Sequence, residues 1–235
     1  MSSIRQRHRR PEIMDQPDLS PDRHVHALRN LARINVLSRS DGILWPELAD
    51  LARTVAPHVP RVLDVATGGG DVPIRLCQRA RRAKLDLHLE GCDISTVALE
   101  HARRRAAETG ASVRFFEYDA LSGPALTGYD AIMCSLFLHH LDEAQAVAFL
   151  RRMAEMAGRL VLVNDLERGW MGLLAAHVVT RLLTTSDVVR VDGPRSVEAA
   201  FTRAEARALA ERAGLSGARL RARWPFRWLL TWRRP

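Results

Sequence analysis

The sequence predicts a doubly wound α/β fold, a mostly parallel sheet with helices on both faces. Three observations predict it. From Arg61 onward, short apolar runs alternate with amphipathic stretches, the rhythm of repeated strand–helix units. One of those runs, Val62 to Val65, enters a glycine cluster at Gly68, Gly69 and Gly70 and then a helical pattern. Glycines at such a junction let a ligand lie against the backbone, and the helix start offers it unpaired N–H groups. The chain ends on segments that alternate with period two, as strands do.

The elements follow in order. Residues 1–20 read as a basic, flexible tail, with arginines between Arg5 and Arg10. Pro21 and Asp22 open a helix carrying Val25, Leu28, Leu31, Ala32 and Asn35 at spacings of three and four. A second helix is expected from Pro46 to Ala56, stopped by Pro57 and Pro60. Together, residues 21–57 form a helical cap, and residues 58–235 form the α/β domain. Strands are expected at 62–65, 87–92, 113–116, 131–134 and 160–163, with helices at 71–82, 95–108 and 142–156 between them. The stretch from Trp170 to Leu183 is a helix apolar on nearly every face, which something must bury. Ala218, Leu220 and Ala222 alternate with arginines, as on a half-exposed edge strand. Trp224, Phe226, Trp228, Leu230 and Trp232 fall on even positions and share one face of a strand, with Pro225 in or near the turn.

Composition narrows the class. A chain of 235 residues with 47% apolar content can bury a substantial core. The longest uncharged central stretch, Gly169 to Thr180, is too short to span a bilayer. The start is polar, without the apolar segment of a secretory signal. Cys77, Cys92 and Cys134 are odd in number, lack metal-type spacing and sit in apolar runs. They read as reduced core residues of a cytoplasmic protein. The net charge of +8 is concentrated at the two ends, and Lys84 is the sole lysine among 35 basic residues. The excess reads as solvated tails. No nucleic-acid partner is expected, while peripheral membrane contact through the Arg/Trp-rich ends stays open, as does the choice between monomer and homodimer.

The stretch Asp64-Val65-Ala66-Thr67-Gly68-Gly69-Gly70 carries the chemistry. A nicotinamide site would want G-x-G-x-x-G, but Pro73 occupies its last position. The stretch instead resembles the first motif of class I S-adenosylmethionine-dependent methyltransferases, an acid followed by a G-x-G-x-G turn, with Ala66 in place of the first glycine. The resemblance runs from Arg61 to Asp165 and is joined by acids ending the second and third strands, Asp93 and Asp119. It implies a seven-stranded sheet of order 3-2-1-4-5-7-6 with strand 7 antiparallel, and S-adenosylmethionine as cofactor. By the same resemblance Asp64, Ala66, Thr67, Gly68 and Gly70 would hold the methionine and ribose portions. Asp93 would take the ribose hydroxyls and Asp119 the adenine amino group. Ile94 and Ala120 would flank the adenine, and Cys134 lies in the fourth-strand segment that lines the sulfonium end.

The acceptor is read from what is missing and what is apolar. The fourth strand has no Asn/Asp-Pro-Pro-aromatic element for a nucleobase amine and no Pro-Cys nucleophile for cytosine. The apolar helix from Trp170 and the helical cap suit a small, apolar or aromatic acceptor. The N-terminal run Pro11 to Leu19 resembles small bacterial methyltransferases of phenolic, quinone or aromatic polyketide metabolism. The reading is therefore methylation of a phenolic or quinone-type hydroxyl. Its alternatives are C-methylation of a quinone-type ring, RNA methylation, or a cofactor-binding protein without turnover. His139 and His140, just past the fourth strand, are the candidate bases, with His177 behind them; His24 and His26 could approach from the cap. No metal site is expected: Asn164-Asp165 ends the fifth strand, but no further ligands are identifiable.

Overall fold

Residues 4–16 and 18–235 are described by the structure, a computed structural model. Its sheet is seven-stranded with order β3-β2-β1-β4-β5-β7-β6. The strands are β1 (Arg61–Val65), β2 (His88–Asp93), β3 (Val113–Glu117), β4 (Tyr129–Ser135), β5 (Ala157–Leu166), β6 (Arg219–Arg223) and β7 (Arg227–Arg233). The first five pair in parallel, and β7 runs antiparallel to both β5 and β6. The topology expected from the sequence is thus the one observed.

Alternation along the strands sorts the core onto two faces. Val62, Ala131, Met133, Leu160, Leu162 and Leu229 pack under α2 (Ser40–Val55) and α3 (Asp71–Ala83). Leu63, Ile132, Val161, Val163, Trp228 and Leu230 face the opposite way, toward α5 (Glu143–Met156) and α8 (Arg203–Arg212). Fully buried side chains such as Phe149, Leu44 and Ile132 each contribute about 2 kcal/mol from area alone. Between them lies α4 (Thr96–Thr109), packed through Leu99 and Ala102 on Ile74 and Phe115.

Three expectations need correcting. Helix α2 begins at Ser40, so Pro46 lies inside it and does not start it. Proline there forfeits one backbone hydrogen bond, which the burial of Ile43, Leu44, Leu48 and Leu51 on the sheet outweighs. The five even-numbered aromatic and apolar residues at the end do not share one strand. Trp224 and Phe226 sit in the β6–β7 turn, 75% and 39% exposed, and only Trp228, Leu230 and Trp232 occupy the buried face. The third is α6 (Trp170–Leu183), which the sequence requires to be covered: Trp170, Met171, Leu174, Val178 and Leu182 are exposed. Among the described residues no helix is long and apolar enough to cross a membrane.

Two further elements close the chain around the strand ends. Helix α1 (Pro21–Leu37) lays Leu28 against Gly68 and Gly69. Ala27 of α1 packs with Val188 and Val189 of α7 (Asp187–Ala199), and Ile13 and Met14 pack against them. The N-terminal region thereby lies over the carboxyl ends of the strands.

Candidate active site

The turn after β1 is shaped by three left-handed residues at alternate positions, Ala66 (φ 55°), Gly68 (φ 53°) and Gly70 (φ 69°). That geometry explains the glycine spacing, and Ala66 adopts it at a cost that glycine would avoid. Gly70 is irreplaceable for a second reason: a Cβ there would stand 2.7 Å from the Phe115 ring and 2.8 Å from Ala102. Thr67 anchors the turn, its N–H donating to the Cys92 carbonyl and its hydroxyl to Asp64 Oδ2 at 2.6 Å. The other Asp64 oxygen, Oδ1, is buried without a partner. Burial, reinforced by Asp71 and Asp93 and opposed by the Thr67 hydrogen bond, pushes the Asp64 carboxyl up to about 8. A buried acceptor with no donor is an invitation to one; beside this loop, the ammonium of S-adenosylmethionine fits.

Asp93 accepts the Gly68 N–H at 2.8 Å and the Ser95 N–H at 2.9 Å. It ties the end of β2 to the glycine turn and keeps lone pairs for hydroxyl donors. Burial raises its pKa in spite of those bonds. Asp119 closes its own turn by accepting from the Leu121 N–H and the Ser122 hydroxyl. The Ser122 hydrogen bond leads in holding its carboxyl below the ordinary range. The exposed apolar side chains beside these acids are Ile94 (67%) and Leu121 (41%), whereas Ala120 is buried in the core. Leu121 was not anticipated; an apolar residue two positions after Asp119 was the available signal. Cys134 is fully buried in β4, and burial drives its thiol far above the ordinary range.

The second half of the site follows β4. Leu136 takes a left-handed conformation (φ 59°), uncommon for a branched residue and typical of functional turns. It feeds a short helical turn, Leu138–His140. His139 Nδ1 lies 2.7 Å from Asp165 Oδ1, and the His139 N–H donates to Asp165 Oδ2 at 3.0 Å. Burial would raise the Asp165 carboxyl, but the charge and hydrogen bond of His139 hold it below its usual range. His140 Nδ1 lies 2.8 Å from Asp15 Oδ2. Burial pulls His140 down, yet the Asp15 hydrogen bond and the charges of Glu12, Asp15 and Asp165 raise it to about 9. Glu12 completes the group: its Oε1 is 3.7 Å from His139 Nε2, and its Oε2 is 4.0 Å from His140 Nε2. A cavity of about 280 Å³ opens beside Glu12, Asp15, His139 and His140.

Glu12 and Asp15 arrive there because the N-terminal segment is strapped down. Arg7 donates to the carbonyls of Ala199, His139 and Leu141, and Arg9 to that of His140. Arg168 takes the carbonyls of Ile4, Arg5 and Ala200 while pairing with Glu205. Asp192 accepts the N–H groups of Ile13 and Met14. The expectation of a flexible tail over residues 1–20 is thereby corrected, because these hydrogen bonds lay the segment across the site; residues 1–3 and 17 lie outside the described ones. Burial lowers the His24 pKa, opposed by the charges of Asp93 and Asp15. His26 contacts Thr185 instead. His177 does not join the group: it is exposed on α6 beside Arg181.

Sheet order, left-handed glycine turn and strand-end acids define the class I methyltransferase architecture. Residues 62–158 match the family model for a methyltransferase domain. Residues 62–158 are thus a methyltransferase domain, and the chain resembles the class I S-adenosylmethionine-dependent methyltransferases. It is 37% identical over 132 residues to demethylmenaquinone methyltransferase of Thermus thermophilus, covering 55% of this chain and 57% of that protein. It is 28% identical over 151 residues to ubiquinone biosynthesis O-methyltransferase of Paraburkholderia phytofirmans, covering 61% and 62%. The chain therefore matches less than two thirds of the length of these relatives. In fold it is similar to magnesium protoporphyrin IX methyltransferase of Synechocystis with bound SAH, with TM-score 0.57, 18% identity and coverage of 86% and 84%.

Proposed function

We propose that this protein methylates a small, apolar quinone-type or phenolic acceptor at a hydroxyl, using S-adenosylmethionine. The observation that carries this reading is the His139–Asp165 pair, whose free Nε2 is turned toward the cavity under the N-terminal strap. The names of the relatives support the acceptor class.

S-adenosylmethionine supplies an electrophilic methyl group on sulfur when bound. Asp64, the glycine turn, Asp93, Ile94, Asp119 and Leu121 are the residues that would hold it. Asp165 accepts from His139 Nδ1, which fixes the tautomer and leaves the Nε2 lone pair for an acceptor proton. Glu12 and the strap exclude water from that atom and set how an apolar ring enters. Removing the hydroxyl proton as the oxygen attacks turns a poor nucleophile into a good one.

The relative with the higher identity bears the name of a demethylmenaquinone methyltransferase, which favours ring C-methylation as the second reading. The test is incubation with S-adenosylmethionine and reduced hydroxybenzoquinols and naphthoquinols, followed by mass spectrometry and product fragmentation. Methyl gain on oxygen supports the first reading, and gain on ring carbon the second. Micromolar binding of S-adenosylmethionine without transfer to any phenol or quinol would remove both.

A further inference from the structure

The Glu12, His139 and His140 side chains present a peculiar electrostatic arrangement. Each imidazole has its Nδ1 engaged by a carboxylate, Asp165 for His139 and Asp15 for His140. With the Nδ1 side engaged, Nε2 is the ring nitrogen left for a ligand, and His140, raised to about 9, would release its Nε2 proton as an ion binds. The two Nε2 atoms and the Glu12 carboxylate face one another. The Nε2–oxygen separations of 3.7 and 4.0 Å are too long for hydrogen bonds between them. All three ligand atoms lie within 4.8 Å of one another. Ligand bonds of about 2.0–2.1 Å in tetrahedral geometry set neighbouring donor atoms roughly 3.3 Å apart. The two nitrogen–oxygen sides, 3.7 and 4.0 Å, exceed that spacing by less than an ångström.

We infer that Glu12, His139 and His140 bind a divalent transition-metal ion of the zinc type, with one coordination position open to the adjoining cavity. Two imidazoles and a carboxylate form a three-ligand set that leaves room for a water or substrate oxygen. Asp165 and Asp15 supply the outer carboxylates that orient ligating histidines. Ser196 does the same for Glu12, donating its hydroxyl to Oε1 at 2.6 Å. The nitrogen donors favour zinc, cobalt or iron over magnesium or calcium. Nearby arginines are spoken for: Arg7 and Arg9 donate to backbone carbonyls, and Arg10 contacts His8. Three carboxylates, Glu12, Asp15 and Asp165, balance an incoming dication.

The expectation of no metal site rested on ligands near in sequence, whereas Glu12 lies far from the histidine pair along the chain and only the strap brings it back. Ion binding stands independently of methyl transfer. Its consequence for catalysis rests on the proposed function: an ion here would occupy the His139 Nε2 lone pair and take over the histidine's part, lowering the pKa of an acceptor hydroxyl that reached it.

The experiment is metal titration of chelator-treated protein, with Zn²⁺ by calorimetry and Co²⁺ by visible absorption. One equivalent bound, with cobalt bands of a nitrogen-ligated ion, is expected. Glu12→Gln should weaken binding at least tenfold with the fold intact by circular dichroism, and Asp15→Asn about tenfold, as for an outer-shell partner. His139→Asn tests the buried ligand, and Glu12→Gln keeps the question answerable should that variant fail to fold. Absence of stoichiometric binding in the wild type overturns the inference. So does equal binding by wild type and Glu12→Gln, since the ion would then sit on other histidines. Neither result bears on S-adenosylmethionine binding, measured separately on the same samples.

Discussion

The Arg168 guanidinium closes on the Glu205 carboxylate with two hydrogen bonds, 2.6 and 2.8 Å long, beneath the N-terminal strap. Its remaining donors take the carbonyls of Ile4, Arg5 and Ala200, so one buried cation fastens three segments at once. Planar, bidentate pairing of this kind suits arginine and not lysine.

The first prediction concerns that clamp. The Glu205 side chain is 40% exposed and Arg168 only 2%. Glu205→Ala should therefore cost about 1–2 kcal/mol, below the figure for a fully buried pair because solvent reaches and screens the Glu205 carboxylate. Arg168→Leu should free the strap more fully, leaving three carbonyls without their donor. Trypsin cleavage at Arg5, Arg7 and Arg9 should accelerate in both variants at temperatures well below the melting transition. Unchanged proteolysis there would mean the strap is held by its other contacts.

The second concerns proton transfer. Asp165→Asn keeps the shape of the carboxylate but can present an N–H to His139 Nδ1, favouring the wrong tautomer. Turnover should fall roughly a hundredfold or more, while S-adenosylmethionine affinity stays within a factor of two. His177→Ala, on exposed α6, should leave both unchanged. Parallel loss of cofactor binding in Asp165→Asn would instead mark Asp165 as a structural anchor.

How much of this was legible follows from range along the chain. The sheet order followed from the family resemblance, while the glycine turn and the strand-end acids were readable because each is set by neighbours within a few residues. Ala66 even signalled its strain by standing where glycine is expected. Asp165 was visible as a strand end, but its partnership with His139 spans 26 positions, and that of His140 with Asp15 spans 125. No local pattern encodes such pairings. Helix α8 was missed although Thr202-Arg203-Ala204-Glu205 forms a capping box that the sequence displays openly. Helix α7 was obscured by Gly193 and Pro194 within it. The exposure of His177 depends on which face of α6 meets α7, which an all-apolar helix does not reveal.

The third prediction is a proton linkage at Asp64. Its folded-state pKa of about 8 lies above the ordinary carboxyl value, so the folded protein holds a proton that the unfolded chain releases. Stability without ligand should therefore fall as pH rises from about 4 toward 8, and level off above. A bound ammonium favours the carboxylate, which reverses the balance. Binding of S-adenosylmethionine at pH 7 should release up to one proton, seen as different calorimetric heats in phosphate and Tris. Asp64→Asn should remove the buffer dependence and weaken binding. Identical heats in both buffers with the wild type would show that Asp64 is already ionised.

The last prediction separates backbone strain from steric contact in the same turn. Ala66 sits at φ 55°, where an L-residue is disfavoured by roughly 1–2 kcal/mol. Ala66→Gly removes that strain but adds unfolded-state entropy worth about 0.4–1 kcal/mol. The net expectation is a small gain, about 0–1 kcal/mol, with cofactor affinity kept. Gly70→Ala runs the other way. It adds the same left-handed strain at φ 69° and places a methyl group 2.7 Å from Phe115 and 2.8 Å from Ala102, both buried. Neither neighbour can retreat without moving α4 or β3, so the cost should exceed about 2 kcal/mol and the start of α3 should shift. Chemical denaturation of the two variants, with S-adenosylmethionine titration on each, decides the matter. Equal and opposite effects of similar size would indicate that strain alone governs the turn; a much larger loss in Gly70→Ala identifies Phe115 and Ala102 as what holds the turn against the sheet.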